Sequence, residues 1–239
     1  MKRLTATCHW LPSRVACLAV LLTIFSIPSL AETITFDKNW ADQGFNLIQN
    51  DNSGLEIIYS LHEFQIEDIV IDGRLMKNIL APGIFLPNDA GAPNLPGTGR
   101  FIAIPNGANV RITILEQRTE LFTGLDVAPA PKIPFENDDS PLNYTRNEAV
   151  YNSDSYYPAQ PADLSEPIEM RGVNSAIVGI SPFQYNPVTN ELLVYKDLHI
   201  RIDFESGNGC CGAYVLHNRP WDPILKGNLL NYEALTAYT

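Results

Sequence analysis

Residues Glu191 to Glu205, ELLVYKDLHIRIDFE, alternate with a period of two for the length of a long strand. Leu192, Val194, Leu198, Ile200, Ile202 and Phe204 form one set, with Lys196 its one polar member. Leu193, Tyr195, Asp197, His199, Arg201 and Asp203 form the other. Successive strand side chains point to opposite faces, so this pattern puts one set on a core and the other toward water. A second apolar run, Val173 to Ile180, precedes it through Pro182 to Tyr185 and the turn Asn186-Pro187-Val188-Thr189-Asn190. Proline fixes φ there and asparagine supplies an Asx-type hydrogen bond, which together set a hairpin register. Three coupled antiparallel strands are therefore expected between Arg171 and Glu205.

Strand and turn signals continue upstream. Thr33 to Phe36 reads as a short edge strand, and Leu55 to Gly73 as two β-rich runs closed by Asp72-Gly73. In the second of these, Phe64, Ile66, Asp68 and Val70 alternate with Gln65, Glu67, Ile69 and Ile71. Ala81 to Gly99 is rich in proline and glycine and reads as loop. Phe101 to Ile104 is a strand before the turn Pro105-Asn106-Gly107, and Asn109 to Phe122 is a long strand. Val127 to Ser165 changes character, mixing Pro129, Pro131, Pro134, Pro141, Pro158 and Pro161 with acids and aromatics. Proline removes ladder donors, so this stretch is expected as an excursion over the sheet, docked by Phe135, Tyr144, Tyr151, Tyr156 and Tyr157. Weak helical spacing follows in Asp222 to Tyr238, with little of its own domain expected to pack against. The sum is an all-β fold: an antiparallel β-sandwich with a long proline-rich excursion and a short C-terminal helical tail.

The N-terminus reads as a secretion signal. Lys2, Arg3 and Arg14 precede an apolar core at Val15 to Ile27, and Ser29-Leu30-Ala31 places small residues for cleavage between Ala31 and Glu32. The apolar run is shorter than the ~20 residues that span a bilayer. Its removal takes away three basic groups and no acidic ones, so the net charge moves from −11 to −14. Such acidity argues against a nucleic-acid partner. Cys8 and Cys17 leave with the signal. Cys210 and Cys211, adjacent in Gly209-Cys210-Cys211-Gly212, have no metal-ligand spacing, and no cofactor is expected. The remaining chain is long enough to bury roughly 70% of its unfolded surface.

Several segments in fixed order resemble the propeptide domain of the gingipains. They are GIFLPNDAGAPNLPGTGRFIAIPNGANVRITI (83–114), LDVAPAPKIP (125–134), YYPAQPADLSEPIEMRGVNSAIVGISPFQYNP (156–187) and ELLVYKDLHIRIDF (191–204). The resemblance implies a β-sandwich prodomain, residues 32–205, that assists folding of a caspase-like cysteine endopeptidase and blocks its cleft until cleaved away. Residues 1–31 are then the signal, and 206–239 a linker and the start of a peptidase domain. The resemblance would start the catalytic domain near residue 220, while the chain stops at Thr239. The expected reading is the prodomain of a truncated or fragmentary gene product, without catalysis and without a membrane partner once the signal is gone. His217 lacks a cysteine after it, and His62 and His199 lie in strands. If the partner prefers basic residues, Arg146 is the first candidate for the inhibitory side chain and Lys132 the second. Lys226-Gly227 is the candidate activation bond. A stand-alone secreted β-sandwich that binds a surface protein or glycan is the competing reading. A calcium-stabilised module is a third, at Asp51-Asn52-Ser53-Gly54 and Glu136-Asn137-Asp138-Asp139, where turn chemistry accounts better for both runs.

Overall fold

The computed structural model describes residues 31–84, 89–207 and 222–235. Three antiparallel sheets share one core. The largest is built on β12 (Glu191–Glu205), paired along one edge with β7 (Asn109–Thr123). Along its other edge β12 pairs first with β11 (Phe183–Asn186) and then with β3 (Gly54–Ser60), which pairs in turn with β2 (Gly44–Asp51). A second sheet centres on β10 (Val173–Ile180), with β6 (Thr98–Ala103) on one side and the short β8 (Ala162–Leu164) and β9 (Ile168–Met170) on the other. The third has the order β1 (Glu32–Thr35), β4 (Glu63–Ile71), β5 (Arg74–Leu80).

The alternation of β12 is realised on its inner face. Leu192, Val194, Leu198, Ile200 and Ile202 are all fully buried, in one cluster with Ala176, Val178 and Ile180 of β10 and Phe64, Ile66 and Ile79 of the third sheet. Each such side chain contributes about 1.5–3 kcal/mol relative to exposure. Phe64 joins the sheets by edge contacts to Phe122 (5.5 Å) and Phe183 (5.3 Å). The hairpin turn forms as its asparagine requires, with Asn186 Oδ1 accepting from Val188 N–H at 3.0 Å and Asn190 at φ 55°. Asp72 and Gly73 both take positive φ, the geometry of a two-residue hairpin between β4 and β5.

The structure corrects three sequence-based expectations. The polar face of β12 is not all toward water: Asp197 is fully buried, and the β7 pairing shifts register between Tyr195 and Asp197. The alternation of β4 leads outward past Ile66, because the β4–β5 hairpin runs beyond the core and leaves Val70 and Leu75 exposed. The C-terminal helical segment, α2 (Asp222–Asn228) with a 3-10 turn at Tyr232–Leu235, has a well-defined seat on this domain. Leu225, Leu229 and Leu235 are buried with Ala103 and Val173. The backbone there closes the free edge of β6: Leu230 N–H donates to Phe101 O (2.8 Å), and the Asn231 amide both donates to Ala103 O (2.9 Å) and accepts from Ala103 N–H (2.7 Å). Capping an open strand edge in this way satisfies donors and acceptors that would otherwise stay unpaired.

Asn231→Ala removes both partners of Ala103 in a buried setting, a loss of roughly 1–3 kcal/mol for each stranded group. Lys226 is exposed but lies inside α2, and peptidases need extended backbone, so cleavage there requires the tail to open. Limited trypsinolysis after Lys226 is expected to run at least about tenfold faster in Asn231→Ala than in the unaltered chain. An unchanged rate would show that Asn231 does not hold the tail.

Candidate functional site

The proline-rich excursion is docked, as its aromatics predict, but through fewer of them. Its first stretch lies beside β5, with Lys77 N–H donating to Asp126 O (2.7 Å) and Ala128 N–H to Lys77 O (2.8 Å). On its other side Ala130 N–H donates to Ala92 O (2.7 Å), so 126–130 runs as an extra extended segment between β5 and residues 91–94. Val127, Ala128 and Ala130 are buried in consequence. Tyr185 Oη donates to Leu125 O (2.9 Å), and Tyr151 Oη donates to Val127 O (3.0 Å). Burial pushes both phenols above their ordinary range, so both stay neutral donors. Tyr151 ends the short helix α1 (Glu148–Tyr151), whose start is capped by Asn147 Oδ1 accepting from Ala149 N–H at 3.1 Å. Phe135, by contrast, is 84% exposed.

Between these anchors, residues 133–142 form a loop closed at its base. Lys132 N–H donates to Asn143 O (2.7 Å), and Asn143 Oδ1 accepts from Thr145 N–H (2.9 Å) and Thr145 Oγ1 (2.6 Å). Within the loop Asp138 N–H donates to Phe135 O (2.9 Å), and Asp138 Oδ1 accepts from Ser140 N–H (3.0 Å) and its hydroxyl. The Ser140 hydroxyl holds the Asp138 carboxyl below the usual range. Ser53 does the same to Asp51, lowering it to about 2. Both acid runs singled out for calcium thus spend a carboxylate oxygen on local turn bonds, and among the described residues no three ligating side chains gather.

The two candidate inhibitory cations sit apart from the loop tip. Arg146 donates to Asp126 (2.8 Å), and its guanidinium lies 4.4 Å from the centre of the Tyr151 ring. Arg74 binds the same carboxylate at 2.6 Å. Arg146 therefore fastens the excursion to the β5 side, with only a quarter of its side chain exposed. Lys132 is exposed at the loop base and enters no ion pair among the described residues. The histidines are structural in their contacts: His62 Nε2 meets Ala41 O at 2.9 Å, and His199 Nε2 meets Glu56 Oε2 at 3.0 Å. All four cysteines, His9 and His217 lie outside the described residues, as does the candidate signal up to Leu30. Glu32, on the far side of the candidate signal bond, opens β1 opposite Ile66. No helix among the described residues is long and apolar enough to cross a membrane.

A cavity of about 810 Å³ opens near the second sheet, lined in part by Phe45, Asp89, Arg100, Tyr157 and Asp163. Tyr157 Oη donates to Asp89 Oδ2 at 2.5 Å, so that carboxylate is already engaged. The sequence carried no signal for this cavity, because its walls come from five separate stretches of chain.

Fold and site together define a β-sandwich that holds out a loop on a fixed base. The sequence model of the Propeptide_C25 family matches residues 39–237, and the chain belongs to that family. It is a gingipain-type propeptide domain. Gingipain R2 of Porphyromonas gingivalis is 24% identical over 229 residues, covering 92% of this chain and 30% of that protein. Lys-gingipain of the same species is 22% identical over 156 residues, 63% of this chain and 9% of that protein. The chain thus spans under a third of the length of these relatives. Among solved structures, the complex of Porphyromonas gingivalis RgpB pro- and mature domains superposes with a TM-score of 0.68 at 20% identity, over 79% of this chain and 97% of that one. A structure addressing zymogenic latency of gingipain K superposes at 0.61, also at 20% identity, over 73% and 98%.

Proposed function

We propose that this chain is the secreted propeptide of a gingipain-like, caspase-like cysteine endopeptidase, acting as its folding assistant and inhibitor through the loop 133–142. The observation that carries the reading is that loop: a Propeptide_C25 sandwich presents it, exposed, on a base held by a backbone bond, an Asx turn and the Arg146–Asp126 pair. Prepaying the loop's ordering lowers the entropic cost of docking, which is what a tight inhibitor requires. Lys132 marks one side of the base, and Arg146 acts behind it as an anchor. The similarity to a chain solved in complex with its mature domain supports a peptidase partner.

Export follows from the signal reading. Cleavage between Ala31 and Glu32 leaves β1 whole, since its pairing starts at Glu32. Activation by cleavage at Lys226 fits the exposure of that residue once α2 unwinds. The rest of the chain is then residues 32–205 as the inhibitory sandwich, with 206–239 leading toward a peptidase domain. The chain itself carries no catalytic role.

The test is inhibition in trans. The exported chain, residues 32–239, is mixed with the gingipain-type peptidase domain encoded in frame with it or beside it. Binding tighter than about 10⁻⁸ M is expected, within the range of protease–inhibitor interfaces. Undiminished peptidase turnover at micromolar chain would reject the inhibitory role. It would favour the competing binding module, for which the 810 Å³ cavity is the natural ligand site.

A further inference from the structure

We infer that the cavity near the second sheet is a binding site for a neutral saccharide, separate from the loop 133–142. None of the residues of that loop lines it, so the site is independent of any inhibitory role.

Part of the cavity wall is a patch of sheet without side chains. Gly99 of β6 pairs in register with Gly179 of β10, which pairs on its other side with Asp163 of β8. Glycine inside a strand weakens it, and marks a place where a ligand or another chain comes close to the backbone. The Asp163 carboxylate leans over this patch, since a Cβ on Gly179 would stand inside the contact radius of Asp163 Oδ1. Asp163 is nevertheless exposed, and it makes no hydrogen bond or ion pair among the described residues. Arg100, next to Gly99 on the cavity wall, is also exposed and has no such partner among them.

A buried polar group points to a ligand independently. Asn94 is only 8% exposed, and its side-chain amide has no hydrogen-bond partner among the described residues. Buried amides are ordinarily paired, so an unpaired one calls for a partner from outside the fold. The amide is not sealed in the interior, because among the described residues only Tyr59 Oη is fully enclosed without a partner. The surface Asn94 keeps therefore opens onto the cavities it lines. The aromatic walls are already fixed. Tyr157 exchanges backbone bonds with Tyr185 (2.9 and 2.8 Å) and its hydroxyl is held by Asp89, while Phe45 packs edge-on against Tyr59 at 5.3 Å. Rigid walls lower the ordering cost of binding.

The chemistry of the walls selects among ligands. A purely apolar ligand would strand the Asn94 amide and the Asp163 carboxylate. A phosphate or carboxylate ligand would meet the charge of Asp163, with that of Asp89 close by. An extended peptide needs a strand edge, and β10 is paired on both sides. A neutral saccharide meets none of these penalties. Its hydroxyls donate to Asp163, accept from Arg100 and do both with Asn94, while its C–H faces lie on Phe45 and Tyr157. About 810 Å³ lies within the range of small-molecule sites and leaves room for a short oligosaccharide.

The experiment screens the same 32–239 chain on an array of neutral oligosaccharides built from glucose, galactose, mannose and N-acetylglucosamine, with sialylated and sulfated glycans beside them. The best neutral glycan is then titrated by calorimetry, and a Kd of about 10⁻⁴ M or tighter is expected. Asp163→Ala removes the free carboxylate, and Gly179→Val fills the bare patch. Each should weaken binding at least about tenfold. Asp163 is exposed, so Asp163→Ala should keep the unaltered urea midpoint and separates lost binding from lost folding. An array with no neutral glycan bound, or with only sialylated and sulfated ones, would overturn the inference. So would neutral binding that Asp163→Ala leaves unchanged.

Discussion

Replacing Asp197 with alanine is expected to destabilise the domain by about 3–5 kcal/mol, the range for breaking a buried ion pair from one side. Its carboxylate is fully buried and accepts from four groups: the Arg118 guanidinium, Ser60 Oγ at 2.6 Å, Trp40 N–H at 3.0 Å and Asn39 Nδ2 at 3.4 Å. Arg118 also lies 5.0 Å from the centre of the Trp40 ring and donates to Lys38 O at 2.7 Å. One carboxylate thus joins β12, β3, β7 and the segment 38–41 that leads into β2. Without it, Ser60 loses its acceptor in a buried site and the Trp40 N–H in a part-buried one, while Arg118, about a third exposed, partly regains water. Against a typical total stability of 5–15 kcal/mol, the loss is large. For a domain of this size it corresponds to a fall in Tm of roughly 6–20 °C. Urea unfolding monitored by tryptophan fluorescence, which includes Trp40, measures it directly. Asp197→Asn should retain part of the network and lose less. A midpoint shift under about 1 kcal/mol for Asp197→Ala would mean that the network is not what joins the four segments.

Gly54→Ala should be comparably damaging, by about 3–5 kcal/mol, for a steric reason. Gly54 sits at φ 152°, a conformation that side-chain-bearing residues rarely adopt. A Cβ there would fall inside the contact radius of the Ile202 carbonyl oxygen and reach within 3.0 Å of its carbonyl carbon. That neighbour is backbone of β12, paired on both sides, which cannot step aside without breaking the Gly54–Asp203 register. Backbone strain of roughly 1–3 kcal/mol and overpacking of a similar size act together. Gly44→Ala is the matched control. It too has positive φ, at 91°, but open space where its Cβ would stand, so only the conformational cost of about 1 kcal/mol remains. Equal effects at the two sites would show that the close approach of β3 to β12 does not constrain Gly54.

Much of the sandwich was legible before any coordinates. The bounds of β10 and β12, the Asx turn at Asn186 and the Asp72-Gly73 hairpin are local, and each rests on a pattern within about fifteen residues. The docking of the excursion was legible in kind, through its aromatics, but not in detail. Tyr151 turned inward to Val127, while Phe135 turned out, and a lone proline-rich sequence treats the two alike. Arg146 reads as the first inhibitory candidate in the sequence, because its partner Asp126 is twenty residues away and the intervening loop conceals the pairing. The seat of α2 was missed for the same reason. Its apolar residues match a surface on β6 and β10 that sequence distance hides.

The sequence by itself determined that this chain makes antiparallel strands, which of their faces are apolar, where they turn, and which family's order of motifs they follow. Alternation and turn chemistry are short-range properties, so they are written where they act. Only the tertiary structure decided that Asp197 is inside, that residues 222–235 close the edge of β6, and that Phe135 stands exposed on the loop while Arg146 is paired behind it. Burial, ion pairing and exposure depend on residues brought together from distant parts of the chain, and no local pattern encodes them.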